Sequence, residues 1–156
     1  MRVPQKVKNF TWRACCNAML TKQALVKRTI ITDRICDKCI LVTESPLHAL
    51  WSCSELDIVW ADQTLWDFRN HVGFTDFKQL VSWIVEEGKQ LKLFAFMVWS
   101  IWHQHNQVQV QAPAIALHHI VEVSQISLTE YHSRLSNTEL QVEPRSHRSQ
   151  KHGCLL

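Results

Sequence analysis

Apolar residues recur every three or four positions along most of the chain, which is typical of amphipathic helices with one buried face. The spacing predicts helices over residues 6–20, 22–27, 55–68, 76–87, 89–110 and 113–137. Thr21 is a favourable N-cap for the second helix. Thr43, with Pro46 in the first turn, predicts a further short helix that carries His48 and leads to Cys53. The helix over 89–110 is apolar on most sides and is predicted to be the most buried.

Four possible metal ligands fall within eighteen residues of one another: Cys36, Cys39, His48 and Cys53. Three thiolates and one imidazole close a tetrahedron around zinc and leave no open position for a substrate. The pattern therefore predicts a structural Zn²⁺ rather than a catalytic one. The alternative is a chance pair of buried thiols near a surface histidine. Glu44 either accepts the free ring N–H of His48 or is a carboxylate at a helix N-terminus.

Composition limits the class of protein. Only three glycines occur, which disfavours a sheet with many tight turns and any glycine-rich phosphate loop. No apolar run approaches the roughly 20 residues that cross a bilayer, and the N-terminus lacks an apolar signal core. We therefore expect an intracellular protein, in the nucleus or the cytoplasm, whose reduced thiols favour a metal over disulfides.

Basic residues are concentrated in the same part of the chain as the possible ligands. Residues 1–53 contain nine Lys/Arg and three Asp/Glu, whereas the remainder contains eight and eleven. This excess favours binding to phosphate backbones, although a solvated basic surface explains it equally well. The candidate phosphate contacts are Lys6, Lys8, Arg13, Lys22, Lys27 and Arg28. No residue pattern reads base identity, so we expect weak sequence preference.

The seven tryptophans mostly occupy apolar helical positions, which favours core packing for the set. Trp12 and Trp51, beside the basic segment, are the candidates for stacking on bases. Cys15 and Cys16 are predicted to be small core residues.

Several strings around the ligands form a longer pattern. Val-Pro-Gln-Lys-Val-Lys-Asn-Phe-Thr-Trp-Arg over 3–13 and Leu-Val-Lys-Arg over 25–28 precede the Cys-x2-Cys pair, Glu44-x3-His48 and Cys53. Residues 3–60 thus resemble the reverse transcriptase zinc-binding domain of plant LINE-type (non-LTR) retrotransposons. Trp-Ser-Ile-Trp over 99–102, with Asn106, is similar to the helical segment that follows this domain in those polyproteins. The family usually has arginine where this chain has His105.

The resemblance implies a non-catalytic zinc module that helps a reverse transcriptase engage RNA or DNA. The polymerase motif Tyr-x-Asp-Asp is absent, because Tyr131, the single tyrosine, is followed by His-Ser-Arg. No acidic cluster suits a two-metal nuclease. We therefore expect a truncated, retrotransposon-derived fragment without enzymatic activity. The alternatives are a helical protein–protein interaction module whose zinc only staples the fold, and a vestigial fragment without function.

These inferences together predict a mainly α fold, in which a small zinc-knuckle module precedes a helical region. The predicted parts are a zinc-binding domain over 1–68, a helical connector over 76–137 and a disordered tail over 138–156. The tail is polar and lacks hydrophobic periodicity. Apolar helix faces left exposed by missing domains favour self-association.

Overall fold

The computed structural model describes residues 1–141, which form helices joined by loops. The α-helices are α1 (Gln5–Cys15), α2 (Lys22–Lys27), α3 (Gln63–Trp66), α4 (Phe77–Glu86), α5 (Leu91–Gln109) and α6 (Ile120–Gln141). A π-helical turn spans His48–Ser52, and 3₁₀ turns span Ser54–Leu56, Asp67–Asn70 and Leu117–His119. The described part of the chain contains no strand, and an isolated antiparallel bridge joins Ile35 to Thr43. The predicted mainly α fold is confirmed.

Helix α5 lies at the centre of the molecule and packs against α1, α4 and α6. Ten of its nineteen residues are buried, as its apolar sequence predicts. The hydroxyl of Ser124 on α6 donates to that of Ser100 on α5 at 3.3 Å, and both residues are buried. None of the helices within residues 1–141 is both long enough and apolar enough to cross a membrane.

An aromatic cluster lies within the main core. The ring of Trp60 lies 4.8 Å from that of Trp51, 5.1 Å from that of Trp66 and 5.6 Å from that of Phe94. All four side chains are at most 2% exposed. Core packing is thus confirmed for these tryptophans, and Trp51, one of the two candidates for stacking on bases, is enclosed and inaccessible to a base. Trp12, in contrast, is 66% exposed.

The N-terminal helix shares its core with the helices that follow the metal-ligand segment. Val3 and Val7 are buried against Ala95 and Phe96 of α5. Phe10 of α1 joins the main core beside the aromatic cluster. The packing is therefore continuous across the predicted boundary between residues 68 and 76.

Helix α1 ends five residues before the predicted position, and α2 has the predicted bounds. Asn17 adopts a left-handed conformation (φ 52°), and the N–H of Ala18 donates to the carbonyl of Arg13 at 2.8 Å. This is the arrangement that commonly closes a helix C-terminus. Thr21 then caps α2 by accepting the N–H of Ala24.

Two other predicted helices are partly wrong. The stretch 55–68 is broken, because the side chain of Asp62 accepts the N–H of Thr64 at 2.9 Å and starts α3 afresh. The last helix begins at Ile120 rather than at Pro113, because the chain must first reverse direction after α5, where Gln111 has a φ of 54°. Residues 138–141 of the predicted tail are helical, and the remainder of that tail lies outside the described residues.

Candidate metal centre

The four predicted ligands converge on one point. One donor atom from each of Cys36, Cys39, His48 and Cys53 lies within 4.8 Å of all the others. The sulfurs of Cys36 and Cys53 are 4.0 Å apart, and the sulfur of Cys39 is 3.3 Å from Nε2 of His48. A tetrahedral zinc with Zn–S bonds of about 2.3 Å separates its sulfurs by about 3.8 Å. The donor set and its spacing therefore suit a tetrahedral zinc.

A short turn-and-bridge unit presents the first two cysteines. The N–H of Cys36 donates to the carbonyl of Val42, and the N–H of Glu44 donates to that of Arg34, both at 2.9 Å. The N–H of Ile40 closes the Cys-x2-Cys turn onto the carbonyl of Cys36. Both thiols consequently point toward the same side of the turn, where His48 and Cys53 meet them.

The other two ligands lie at the start and just beyond the end of the π-helical turn. Ser45, rather than the predicted Thr43, caps this short helix by accepting the N–H of His48 at 3.1 Å. Pro46 occupies the first turn, where its missing N–H costs nothing. The N–H of Cys53 donates to the carbonyl of His48 at 3.1 Å. The π-helical turn thus places His48 and Cys53, five residues apart, on the same side of the helix.

Arg69 closes the end of this turn from a distant part of the chain. Its Nε donates to the carbonyl of Trp51 and its guanidinium to that of Cys53, both at 3.0 Å. The same side chain pairs with Asp57 at 2.7 Å and is only 12% exposed. Sequence reasoning missed this residue, because its partners lie 16 and 18 positions earlier and no local pattern links them.

The ionisation of the ligands suits a metal. Burial raises the pKa of the Cys53 thiol to about 12, so zinc must displace its proton. Desolvation opposes ionisation of Cys39 as well, but the backbone N–H groups of Leu41 and Val42 lower its pKa overall. Burial lowers the pKa of His48, which keeps the imidazole neutral and able to donate a lone pair.

A partly buried cation lies beside the ligands. The ammonium of Lys38 donates to the side-chain carbonyl of Gln104 on α5 at 3.3 Å. Burial lowers the pKa of Lys38, and the thiolates of Cys53 and Cys36 oppose that shift. Zinc with three thiolates carries a net charge of −1, which this ammonium would offset.

The sequence predicts that Glu44 either accepts the ring N–H of His48 or lies at a helix N-terminus, and the structure modifies the second interpretation. Its Oε1 accepts the backbone N–H of Lys22 at 3.0 Å, so it is an N-terminal carboxylate for α2 rather than for its own helix. Its Oε2 is buried without a partner, and Nε2 of His105 lies 3.7 Å from Oε1. Burial raises the pKa of Glu44 and lowers that of His105 to about 4.

The six predicted phosphate contacts differ in their availability. Lys6, Arg13, Lys27 and Arg28 are exposed, and Lys8 is half-buried. Lys22 is instead paired with Asp33 and Asp37, and the hydrogen bond to Asp37 raises its pKa. Its charge is already neutralised within the chain.

The sequence predicts core positions for both Cys15 and Cys16, which lie at the C-terminal end of α1. Cys15 is half-buried, and burial raises its pKa, as expected for a packed thiol. Cys16 is exposed, so its prediction as a core residue is wrong. The five cysteines in the described part of the chain are unpaired.

The fold and the site together define a class: a helical module with a closed Cys₃His centre that suits a structural metal. Residues 1–60 match the family model described as zinc-binding in reverse transcriptase, which confirms the resemblance inferred from the sequence. The chain is also 27% identical, over 111 residues, to a putative ribonuclease H protein of Arabidopsis thaliana. That match covers 65% of this chain and 17% of the relative. No solved structure matches.

Proposed function

We propose that this chain is a non-catalytic, zinc-stapled module from a plant retrotransposon polyprotein that binds RNA or DNA through a basic surface. The observation that carries the proposal is the coincidence of a closed Cys₃His centre with a strong basic excess in residues 1–53. A closed centre supplies stability and shape but no position for a reacting group. The positive charge is then the feature that can act on a partner.

The basic surface comprises Lys6, Arg13, Lys27 and Arg28, with Lys8 at its edge. Among the described residues none of these five forms an ion pair with a carboxylate. Free cations on exposed side chains can contact phosphates and release counterions from them. Lys22 does not belong to this surface, because Asp33 and Asp37 hold it.

The test is a fluorescence-anisotropy titration of labelled RNA and DNA, single-stranded and duplex, at increasing salt. Four phosphate contacts predict a slope of log K against log salt of about −3 on single strands. Chelation should weaken the binding, because Lys27 and Arg28 lie at the end of α2, whose first turn is held by hydrogen bonds to Glu44 of the zinc-ligand segment. Absence of binding at low salt, or affinity that does not change with salt, contradicts the proposal.

A second candidate is a protein-interaction module, and one observation favours it. The loops around the Cys-x2-Cys turn expose apolar side chains: Ile30, Ile40, Leu41 and Val42 are each 49–78% exposed. On α6, Ile126 and Leu140 are exposed as well. Self-association in sedimentation experiments that a Leu41→Ser variant abolishes, together with no nucleic-acid binding, would favour this candidate over the first.

A further inference from the structure

A continuous groove follows α5 on the side that faces α1. It consists of three adjoining cavities of about 460, 310 and 210 Å³. Lys6 and Trp99 line both the first and the second cavity, while Arg13 and Trp102 line both the second and the third. Along α5 the groove extends from Phe96 to Asn106, which is about 15 Å at 1.5 Å per residue.

Aromatic rings form the α5 wall of this groove. Trp99, Trp102, His103 and Asn106 lie three, four and seven positions apart, so they share one helix face. Both tryptophans are only partly buried, unlike the enclosed tryptophans of the core. The ring of His103 stacks on that of Trp99, with centroids 5.4 Å apart and planes 7° apart. The wall therefore offers flat π surfaces to the groove.

The opposite side of the groove supplies positive charge. The ammonium of Lys6 lies 4.4 Å above the ring of Trp99. Arg13 follows two helical turns later on α1, and Arg134 of α6 lines the first cavity together with its partner Glu130. Three cations face one carboxylate, so the groove carries a net positive charge along its length.

We propose that this groove binds single-stranded nucleic acid, with phosphates on Lys6 and Arg13 and bases stacked on Trp102 and His103. The inference rests on the proposed function and specifies the place and the strand state. Alternating cations and exposed aromatic faces are the means by which proteins hold single strands without reading sequence. A duplex hides the faces of its bases. The groove accommodates about four nucleotides at the stacked spacing of 3.4 Å per strand.

The decisive comparison uses two variants with the same loss of charge. Lys6→Gln/Arg13→Gln removes the cations of the groove, and Lys78→Gln/Lys92→Gln removes two exposed cations that belong neither to the groove nor to the basic surface. Labelled single-stranded RNA and DNA of about ten nucleotides are titrated by fluorescence anisotropy, a length within the usual site sizes of such proteins. We expect the groove variant to lose at least about tenfold in affinity and the control variant less than about threefold.

A second pair of variants tests stacking. Trp102→Leu removes a ring of the groove, and Trp12→Leu removes an exposed ring of α1 that does not line it. Loss of one stacked base should weaken binding by at least about fivefold for Trp102→Leu, with no change for Trp12→Leu. Thermal melting of both variants verifies that they fold. If Trp102→Leu does not fold, the charge variants alone decide whether the groove binds the strand.

The outcomes separate the two proposals. If the wild-type chain binds no nucleic acid at low salt, the proposed function fails and the groove fails with it. If it binds but the two charge variants lose affinity equally, or duplex binds as tightly as single strands, the groove is overturned while the proposed function stands. Tighter binding of single strands than duplex, lost in the groove variants alone, supports the groove. Comparison of the affinities for single-stranded RNA and single-stranded DNA then identifies the preferred nucleic acid.

Discussion

Removal of zinc is expected to unfold the segment 34–44, which we name the knuckle, while the helical core stays folded. The knuckle buries little apolar surface, since Ile40, Leu41 and Val42 are 49–78% exposed. Its three backbone hydrogen bonds contribute about 3 kcal/mol in total. Ordering eleven residues costs about 11 kcal/mol of backbone entropy at the lower end of the range. Structural zinc supplies about 10–16 kcal/mol, which closes the difference.

Amide hydrogen exchange tests, residue by residue, whether the knuckle unfolds when zinc is removed. Chelation should remove protection from the amides of Cys36, Ile40 and Glu44, which donate within the knuckle. The amide of Ile101, in the middle of the buried helix α5, should stay protected. Zinc content of the purified chain should be close to one ion per chain before chelation.

Two variants and the pH dependence sharpen the test. Cys53→Ser should abolish zinc binding, whereas Cys16→Ser, an exposed thiol outside the site, should leave it unchanged. Zinc must displace up to three thiol protons, so its apparent affinity should fall by up to about a thousandfold for each unit that the pH decreases. A folded sample with almost no zinc, or knuckle amides that stay protected after chelation, would refute the reasoning.

Three further predictions concern stability. Ile40 has a φ of 59°, a strained conformation for a β-branched residue, so Ile40→Gly should stabilise the zinc-bound chain by about 1 kcal/mol in denaturant titrations, and Ile40→Ala should not. The pKa of His105 is about 4 against an ordinary 6.5, so the native state resists its protonation and stability is lost as the pH falls from 6.5 toward 4. In His105→Gln the decrease in the free energy of unfolding between pH 6.5 and 4 should be smaller by up to about 3 kcal/mol, whereas His103→Gln, at an exposed position, should show the same decrease as the wild type. The same decrease in both variants would contradict the assignment to His105. Trp66→Ala should cost about 3–5 kcal/mol in the same titrations, because the ring is 1% exposed, and Trp12→Ala should cost less than about 0.5 kcal/mol.

Features that depend on neighbouring residues could be predicted from the sequence. Thr21 and the six residues after it form a capped helix because both the cap and the helix are local. The candidate metal centre was predictable for a related reason: three cysteines and one histidine at this spacing favour zinc as the metal and a closed, structural site. In both cases the residues that decide the structure lie close together in the chain.

Features that depend on distant contacts could not be predicted. Arg69 reaches carbonyl groups that precede it by 16 and 18 positions, and Glu44 caps a helix that lies 22 positions earlier. The break at Asp62 has a local cause, because the side chain of Asp62 caps the helix that begins at the next residue. Hydrophobic periodicity alone favours a continuous helix there, and it does not register a single capping side chain.

The docking of α1 on α5 bears on how much of the chain the zinc-binding domain needs in order to fold. The match to the family model ends at residue 60, yet Val7 of α1, together with Val3 just before this helix, is buried against residues 95 and 96. Arg69, which holds the end of the turn at Cys53, also lies beyond the match. A piece of chain cut at residue 60 would lose both supports and expose its tryptophans. The shortest piece of this chain that keeps both supports therefore runs from Val3 through Phe96, well past the end of the match to the family model.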